Sequence, residues 1–126
     1  MSKILYVDSK DNHENDDCMA IHPSHLNYAI SFEKEYFDKI NILNTKSEFL
    51  NGKAFFNLCK CLKHDGRLEL VLDQPISVMQ QMDAGEIEAN AKLGGFKTIT
   101  TKDYDYYVKN KDGNQKISTL KLTMFK

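Results

Sequence analysis

A helix, a glycine turn and a strand follow one another in the middle of this chain, and this order constrains the fold more than any other feature. Thr45 and Glu48 form a capping-box signature, and Gly66 suits a left-handed helix stop. Residues 68–72 then form an apolar-rich run that predicts a strand. The helix between the two signals, of roughly four turns, repeats apolar side chains every four residues: Leu50, Ala54, Leu58 and Leu62. This succession indicates an α/β layer.

The N-terminal third is predicted to contain strands with little helix between them. Residues 4–7 are a continuous apolar run followed by a polar turn, which predicts a buried strand. Residues 26–32 and 37–43 predict two further strands. Residues 13–25 are polar, and they leave two alternatives open: a short helix near residues 18–21 or a long loop.

The C-terminal third is predicted to hold a helix and then an antiparallel pair of strands. A second helix is expected from an N-cap at Asp83 to the glycine pair at 94–95. Residues 96–100 predict a strand. Residues 104–108 and 117–125 predict a hairpin, because an Asp-Gly turn signal lies between these two β-rich runs.

Length, charge and cysteine content bound the class of protein. A chain of 126 residues is the size of one domain, so we expect residues 1–126 to form a single domain. A net charge of −1 gives no electrostatic drive toward nucleic acid or an anionic membrane. Three cysteines, an odd number with Cys59 and Cys61 only two residues apart and Cys18 far away, do not form a secreted disulfide framework. These features predict a cytoplasmic monomer that binds neither nucleic acid nor membranes.

From residue 37 onward, the order of motifs resembles the C-terminal half of class I methyltransferases. That family shows an FD-I strand, a helix, an L-PGG-L-L turn and strand, a second helix, and GF before a terminal hairpin. The matching residues here are Phe37-Asp38-Lys39-Ile40, then Leu62-Lys63-His64-Asp65-Gly66-Arg67-Leu68-Glu69-Leu70, then Leu93-Gly94-Gly95-Phe96. The resemblance implies a reduced Rossmann-like α/β sheet, mostly parallel with an antiparallel C-terminal hairpin.

The same resemblance implies a place for S-adenosylmethionine, which that family binds at a glycine-rich turn after the first strand. In this chain the turn after residues 4–7 contains no glycine, and the first glycine is Gly52. Side chains there would crowd the nucleoside, and the acids would repel its carboxylate. An acid after the second strand usually holds the ribose hydroxyls, and Glu33 and Glu35 are the candidates.

A methyltransferase-like domain without its cofactor turn resembles the N-terminal domain of the anamorsin family. The resemblance implies a non-catalytic domain that contacts proteins in cytosolic iron–sulfur cluster assembly, where a diflavin reductase supplies electrons. It also implies that residues 1–126 are the N-terminal part of a longer chain. No cofactor is expected in this domain, because iron–sulfur clusters belong to a C-terminal region with closely spaced cysteines. The alternative is an S-adenosylmethionine-dependent methyltransferase with an atypical or partner-completed site.

The sequence offers one candidate surface at the end of a strand. Asp73, Gln74 and Pro75 follow the strand predicted at residues 68–72, at the edge where α/β proteins usually place ligands. We interpret them as lining either a remnant groove or a partner-docking surface, and not as catalytic residues. Substituting Asp73 and Gln74 with alanine tests this interpretation.

The cysteines and histidines of the chain are candidate metal ligands. Cys59 and Cys61 point about 200° apart on a helix, so they cannot hold one ion, and we expect Cys61 in the core with Cys59 at its edge. A polar segment collects further ligand types without a recognised zinc spacing: His13, Asp16, Asp17, Cys18, His22 and His25. A solvated polar connection explains that segment equally well, so no metal site is predicted.

The tyrosines of the C-terminal hairpin could stack on bases, but a structural role explains them better. In a strand, Tyr104 and Tyr106 share one face, and Tyr107 lies on the other. Arg67 is the only arginine, so the usual bidentate donor for phosphate is nearly absent from the chain.

Overall fold

A computed structural model describes residues 3–8, 18–27, 34–45, 49–72 and 78–126 of the chain. The described helices are a short 3-10 helix, η1 (Pro23–Asn27), and two α-helices, α1 (Gly52–Cys61) and α2 (Val78–Gly94). The described strands are β1 (Ile4–Asp8), β2 (Cys18–Ile21), β3 (Phe37–Thr45), β4 (Leu62–Leu72), β5 (Thr98–Asn110) and β6 (Gly113–Phe125).

The strands form one mixed sheet in the order β2-β1-β3-β4-β6-β5. β1 pairs in parallel with both β2 and β3, and β3 pairs in parallel with β4. β6 runs antiparallel to both of its neighbours, β4 and β5. Every described strand except β6 therefore points the same way, which confirms an α/β sheet that is mostly parallel with an antiparallel C-terminal hairpin.

Both α-helices pack on one face of this sheet. Side chains two residues apart on a strand share a face, and the buried apolar side chains of each central strand follow that spacing. They join the inner faces of α1 and α2 in a single core, which includes Leu5, Val7, Ile40, Ile42, Leu68, Leu70, Leu122, Met124, Ala54, Phe55, Leu58, Ile87 and Ala91. Among the described residues, no helix covers the opposite face.

The start of α1 differs from the prediction. The helix begins at Gly52, where the Asn51 side chain accepts a 2.9 Å hydrogen bond from the backbone N–H of Ala54. The capping box predicted at Thr45 is wrong, because Thr45 still belongs to β3. Glu48 lies outside the described residues. The apolar spacing predicts four turns but extends beyond the helix at both ends. Leu50 precedes α1 and Leu62 begins β4, and both side chains are buried.

The predicted glycine stop of this helix is also wrong. Leu62 is already extended, with φ −86° and ψ 136°, and β4 begins there without a turn. Gly66 lies within β4, beside a register shift between β3 and β4. A Cβ atom at Gly66 would lie 2.7 Å from the carbonyl oxygen of Asp38, so glycine is required for close strand approach and not for a helix cap.

In the N-terminal third, β1 and β3 confirm the predicted strands, and two other expectations are wrong. Cys18–Ile21 is a strand, neither a short helix nor a loop. Leu26, predicted to begin a strand, lies in η1, which Pro23 starts with a φ suited to a first helical turn. Leu26 is buried, and its carbonyl oxygen accepts a 2.8 Å hydrogen bond from Asn57 of α1. Residues 28–32 lie outside the described residues.

The end of α2 confirms the predicted glycine stop, although the helix begins at Val78 and not near Asp83. Gly95 has φ 119°. Its N–H donates to the carbonyl of Lys92 at 3.2 Å, and the N–H of Phe96 donates to Ala91 at 3.1 Å. These two hydrogen bonds form a Schellman motif, and the side chain of Phe96, the residue after Gly95, is buried.

The terminal hairpin is confirmed, with a longer first strand than predicted. β5 begins at Thr98 and joins residues 98–100 and 104–108 into one strand, and Phe96 precedes it. Gly113 has φ 114° directly after the two-residue turn, as the Asp-Gly signal requires.

Candidate functional site

The sheet has one topological switch point, between β1 and β3. β1 is followed along the chain by β2 on one side, while β3 adds to its other side. In open α/β sheets, ligands bind in the crevice outside the carboxyl ends of strands at such a point. The described residues there are Asp8 at the end of β1, Ile21 at the end of β2, and Leu43 beside Asp8 on β3.

Asp8 closes β1 at the floor of this crevice, and it is the residue after which a cofactor turn would start. Its exposed fraction is 6%, and it is one of two buried polar residues among those described. Residues 9–17 lie outside the described residues. Because no glycine precedes Gly52, the chain that leaves Asp8 carries a side chain at every position.

His22 follows β2 at the same edge, where the methyltransferase resemblance would place a ribose-binding acid. The backbone N–H of Ser24 donates to His22 Nδ1 at 3.2 Å, and Ser24 Oγ lies 2.9 Å from the same nitrogen. Nδ1 therefore acts as an acceptor that caps η1, and only Nε2 is left to face solvent. An imidazole has one ring nitrogen besides Nδ1, so it cannot accept two hydroxyl hydrogen bonds as a carboxylate does.

Glu35, one of the two acids proposed for that ribose role, is not brought to the crevice. Glu35 lies directly before β3, at the opposite edge of the sheet, and its N–H donates to the carbonyl of Lys60 at 3.1 Å. The expectation for Glu35 is wrong because the strand that follows β1 along the chain is Cys18–Ile21, and residues 26–27 of the predicted strand lie in η1. Glu33 lies outside the described residues. A visible signal for β2 was the short apolar run at residues 19–21, bounded by polar residues.

The predicted docking residues Asp73, Gln74 and Pro75 lie outside the described residues. The last residue of β4, Leu72, pairs with Thr45 at the carboxyl edge. The interpretation of these three residues as a docking surface therefore stays a prediction.

Asp38, the acid of the FD-I motif, has a structural role at the amino edge of the sheet. Its Oδ2 accepts from the backbone N–H of Lys3 at 2.7 Å, and its Oδ1 lies 3.2 Å from Lys63 Nζ. The hydrogen bond from Lys3, followed by that from Lys63, lowers the pKa of Asp38. Asp38 thus ties the start of β1 to β3 and β4, and it does not face the crevice.

Solved structures with this arrangement are S-adenosylmethionine-dependent methyltransferases and relatives of the same fold. A methyltransferase from Archaeoglobus fulgidus matches with a TM-score of 0.64 and 9% identity over 99% of this chain and 86% of its own. A methyltransferase from Thermotoga maritima matches with a TM-score of 0.55 and 9% identity over 85% of this chain. Spermidine synthase from the same organism matches with a TM-score of 0.62 and 10% identity over 98% of this chain.

The fold is that of the class I methyltransferases. The chain spans 62% of the length of the T. maritima methyltransferase and 53% of that of spermidine synthase. No protein-family model and no curated protein sequence matches it.

The face of the sheet opposite the helices is charged. Glu69 Oε2 lies 2.8 Å from Lys39 Nζ, and Glu69 Oε1 lies 3.4 Å from Lys121 Nζ and 3.5 Å from Arg67 Nε. Burial raises the pKa of Glu69, but the hydrogen bond from Lys39 and the three positive charges outweigh it and lower the pKa. Doubly wound sheets bury apolar side chains on both faces, whereas this cluster places charged side chains of β3, β4 and β6 on the second face. The only arginine of the chain is engaged here.

The two helical cysteines are placed as predicted. Cys61 is 2% exposed, its Sγ lies 3.3 Å from the carbonyl oxygen of Leu58, and burial raises the pKa of its thiol to about 11. Cys59 is half-buried at the edge of the core.

The polar segment weighed for metal ligands is described only in part. Cys18 begins β2, while His22 and His25 stand at and within η1, with ring centroids 6.5 Å apart. His13, Asp16 and Asp17 lie outside the described residues. Within the described ranges, no three side chains of the ligand types come together as a metal site. The described helices include none with the length and apolar character needed to cross a membrane.

The tyrosines of the hairpin are arranged as predicted. Tyr104 and Tyr106 lie on one face of β5 with ring centroids 6.5 Å apart, and Lys121 Nζ lies 5.4 Å from the centroid of Tyr104. Tyr107, on the other face, is 68% exposed.

Proposed function

We propose that this domain keeps the methyltransferase scaffold but binds proteins instead of S-adenosylmethionine, as a non-catalytic, anamorsin-like component of cytosolic iron–sulfur cluster assembly. The observation that carries the proposal is the end of β1. The strand ends at a buried Asp8, and no glycine follows until Gly52. A nucleoside cofactor requires a close approach of the backbone at this turn, and side chains prevent that approach.

Two further features support the loss of cofactor binding. The residue directly after β2 is His22, so an imidazole stands where that family has a carboxylate. Its Nδ1 accepts a hydrogen bond from the Ser24 N–H at the start of η1. The sheet face opposite α1 and α2 carries the Glu69 ion-pair cluster. In a doubly wound fold, a helical layer on that side contributes to the crevice.

The role in iron–sulfur cluster assembly follows from the family resemblance. By that resemblance the domain contacts a diflavin reductase in the cytoplasm and holds no cluster itself. The cysteines fit this assignment, because Cys18, Cys59 and Cys61 lie on β2 and α1 and do not form a group. Clusters would bind to a cysteine-rich region outside residues 1–126.

The alternative function is methyl transfer from S-adenosylmethionine by a site that a partner completes. The likeness to solved methyltransferases favours it, since the switch point between β1 and β3 is retained. In that case a partner would have to supply the donors that the turn after β1 cannot.

The proposed function is tested by mixing the 126-residue chain with a purified diflavin reductase and measuring complex formation by light scattering and calorimetry. We expect a saturable complex of defined stoichiometry. The double variant Asp73→Ala, Gln74→Ala tests the predicted docking surface and should weaken the complex, whereas Lys111→Glu at the hairpin tip should not. Failure of the unmodified chain to bind the reductase at micromolar concentration would contradict the proposal.

A further inference from the structure

A cleft of about 630 Å³ lies at the amino edge of the sheet, on the side remote from the crevice at the switch point. It is formed where the end of α1, the end of α2 and the starts of β3, β4 and β5 meet. Its floor is made by Phe56, Cys59 and the glycine pair 94–95, and its rim carries Lys34, Glu35, Lys60, His64, Lys97 and Lys126.

The floor of this basic cleft is apolar. Phe56 is a large hydrophobic side chain with an exposed fraction of 58%. Burial raises the pKa of the Cys59 thiol, so the sulfur is neutral at physiological pH. A Cβ atom at Gly95 would lie 3.1 Å from Cys59 Sγ, and the glycine leaves that space open.

The lysines of the rim have no acidic partner within the described part of the chain. Five lysines elsewhere in the described residues are paired, Lys39 and Lys121 with Glu69, Lys63 with Asp38, Lys92 with Glu88, and Lys116 with Asp105, whereas others such as Lys53 and Lys109 are not. Lys34, Lys60, Lys97 and Lys126 form no such pair among those residues. Among the described residues that line the cleft, Glu35 is the only acidic side chain, so they carry an excess of positive charge.

These lysines are not needed to cap the two helices that end at the cleft. The last carbonyls of α1 accept backbone N–H groups, from Glu35 to Lys60 and from Tyr36 to Cys61, at 3.1 and 2.9 Å. The Schellman motif at Gly95 satisfies the end of α2. Lysine ammonium groups often serve as C-terminal caps, but here the backbone has already taken that role.

We propose that the basic cleft binds an acidic segment of a partner protein, with an apolar side chain of that segment seated on Phe56. The four lysines stand on separate segments of the chain around the apolar floor, which suits several spaced carboxylates better than one compact phosphate. A phosphate site is usually built on arginine forks or helix N-termini, and the described residues that line this cleft supply neither. The inference rests on the proposed interaction role but not on the identity of the partner.

The test uses the full chain and a synthetic peptide of glutamate and aspartate residues with one central phenylalanine, followed by fluorescence anisotropy and amide shifts. We expect saturable binding with shifts centred on Phe56, Cys59 and Gly95. The double variant Lys60→Glu, Lys97→Glu should weaken binding by about tenfold or more, and added salt should weaken binding of the unmodified chain. Glu35→Gln should strengthen it.

Matched controls separate a specific cleft from general charge. The double variant Lys109→Glu, Lys111→Glu changes the net charge equally at the exposed hairpin tip, and it should bind like the unmodified chain. A peptide with alanine in place of phenylalanine should bind more weakly. Equal losses in both double variants, shifts away from the cleft, or saturation by inorganic phosphate without peptide binding would each overturn the proposal. If the chain binds the reductase but not the peptide, this inference alone is overturned. If it binds the peptide but not the reductase, only the assignment of the partner is overturned.

Discussion

Replacing Phe55 with alanine should lower the free energy of unfolding by about 4 kcal/mol. Phe55 is fully buried in α1, and its ring meets that of Phe96 edge to face, with centroids 6.1 Å apart and an interplanar angle of 86°. Phe96 stands behind the glycine stop of α2, so this pair joins the two helices that form the single helical layer. Truncation removes both the buried area and the aromatic contact, and the tightly packed backbone beside it limits collapse of the cavity.

The neighbouring aromatic residue supplies the control for this prediction. Phe56→Ala removes a side chain of the same size that is 58% exposed, so it should change the free energy of unfolding by less than about 1 kcal/mol. Urea unfolding followed by circular dichroism measures both variants. Similar losses for Phe55→Ala and Phe56→Ala would mean that α1 does not bury the face described for it.

Gly94→Ala should destabilise the domain by about 3 kcal/mol, because the end of α2 packs directly on the backbone of α1. A Cβ atom at Gly94 would lie 2.6 Å from the carbonyl carbon and Cβ of Phe55 and from the amide nitrogen of Phe56. Backbone atoms cannot rotate away as a side chain can. The helices must separate to admit one methyl group.

Gly85→Ala in the same helix should have the opposite effect. A Cβ atom there meets nothing within 4 Å, and alanine is a better helix former than glycine by about 0.5 to 1 kcal/mol. The pair therefore tests packing at one end of α2 against helix propensity within it. Equal effects from Gly94→Ala and Gly85→Ala in thermal and urea unfolding would contradict the close approach of the two helices.

Local patterns predicted the central sheet and the terminal hairpin well. The run at residues 4–7 is short, continuous and β-rich, and only a buried strand explains it. The Asp-Gly signal predicted a turn because Gly113 must adopt φ 114°. Glycines 94 and 95 likewise predicted the end of α2. In these cases one residue has few conformations open to it, so the local signal decides.

Predictions failed where two local signals competed or where a long-range contact decided the outcome. Thr45 offered a good helix cap, but pairing with Leu72 keeps it in β3, and Asn51 caps the helix instead. Gly66 suits a helix stop, but the nearby carbonyl of Asp38 requires glycine within a strand. Neither contact can be inferred from spacing along the chain.

The candidate sites illustrate the same limit. The loss of a glycine turn after β1 was visible in the sequence, because it concerns adjacent residues. The basic cleft was not, since Lys34, Lys60, Lys97 and Lys126 are far apart in the chain and meet only where two helices end and three strands begin. The candidates for a ribose-binding acid were placed after residues 26–32, because the sequence pattern did not predict the short strand at Cys18–Ile21.

We propose above all that the methyltransferase scaffold remains while its cofactor site is lost. Titration of the isotope-labelled chain with S-adenosylmethionine, followed by amide shifts, tests it most directly, with a functional methyltransferase as the positive control. The informative amides are those of Asp8, Ile21 and Leu43 at the switch point, while Asp38 at the opposite edge serves as an internal reference. We expect no saturable shifts at millimolar cofactor. Saturable shifts confined to Asp8, Ile21 and Leu43 would contradict the account.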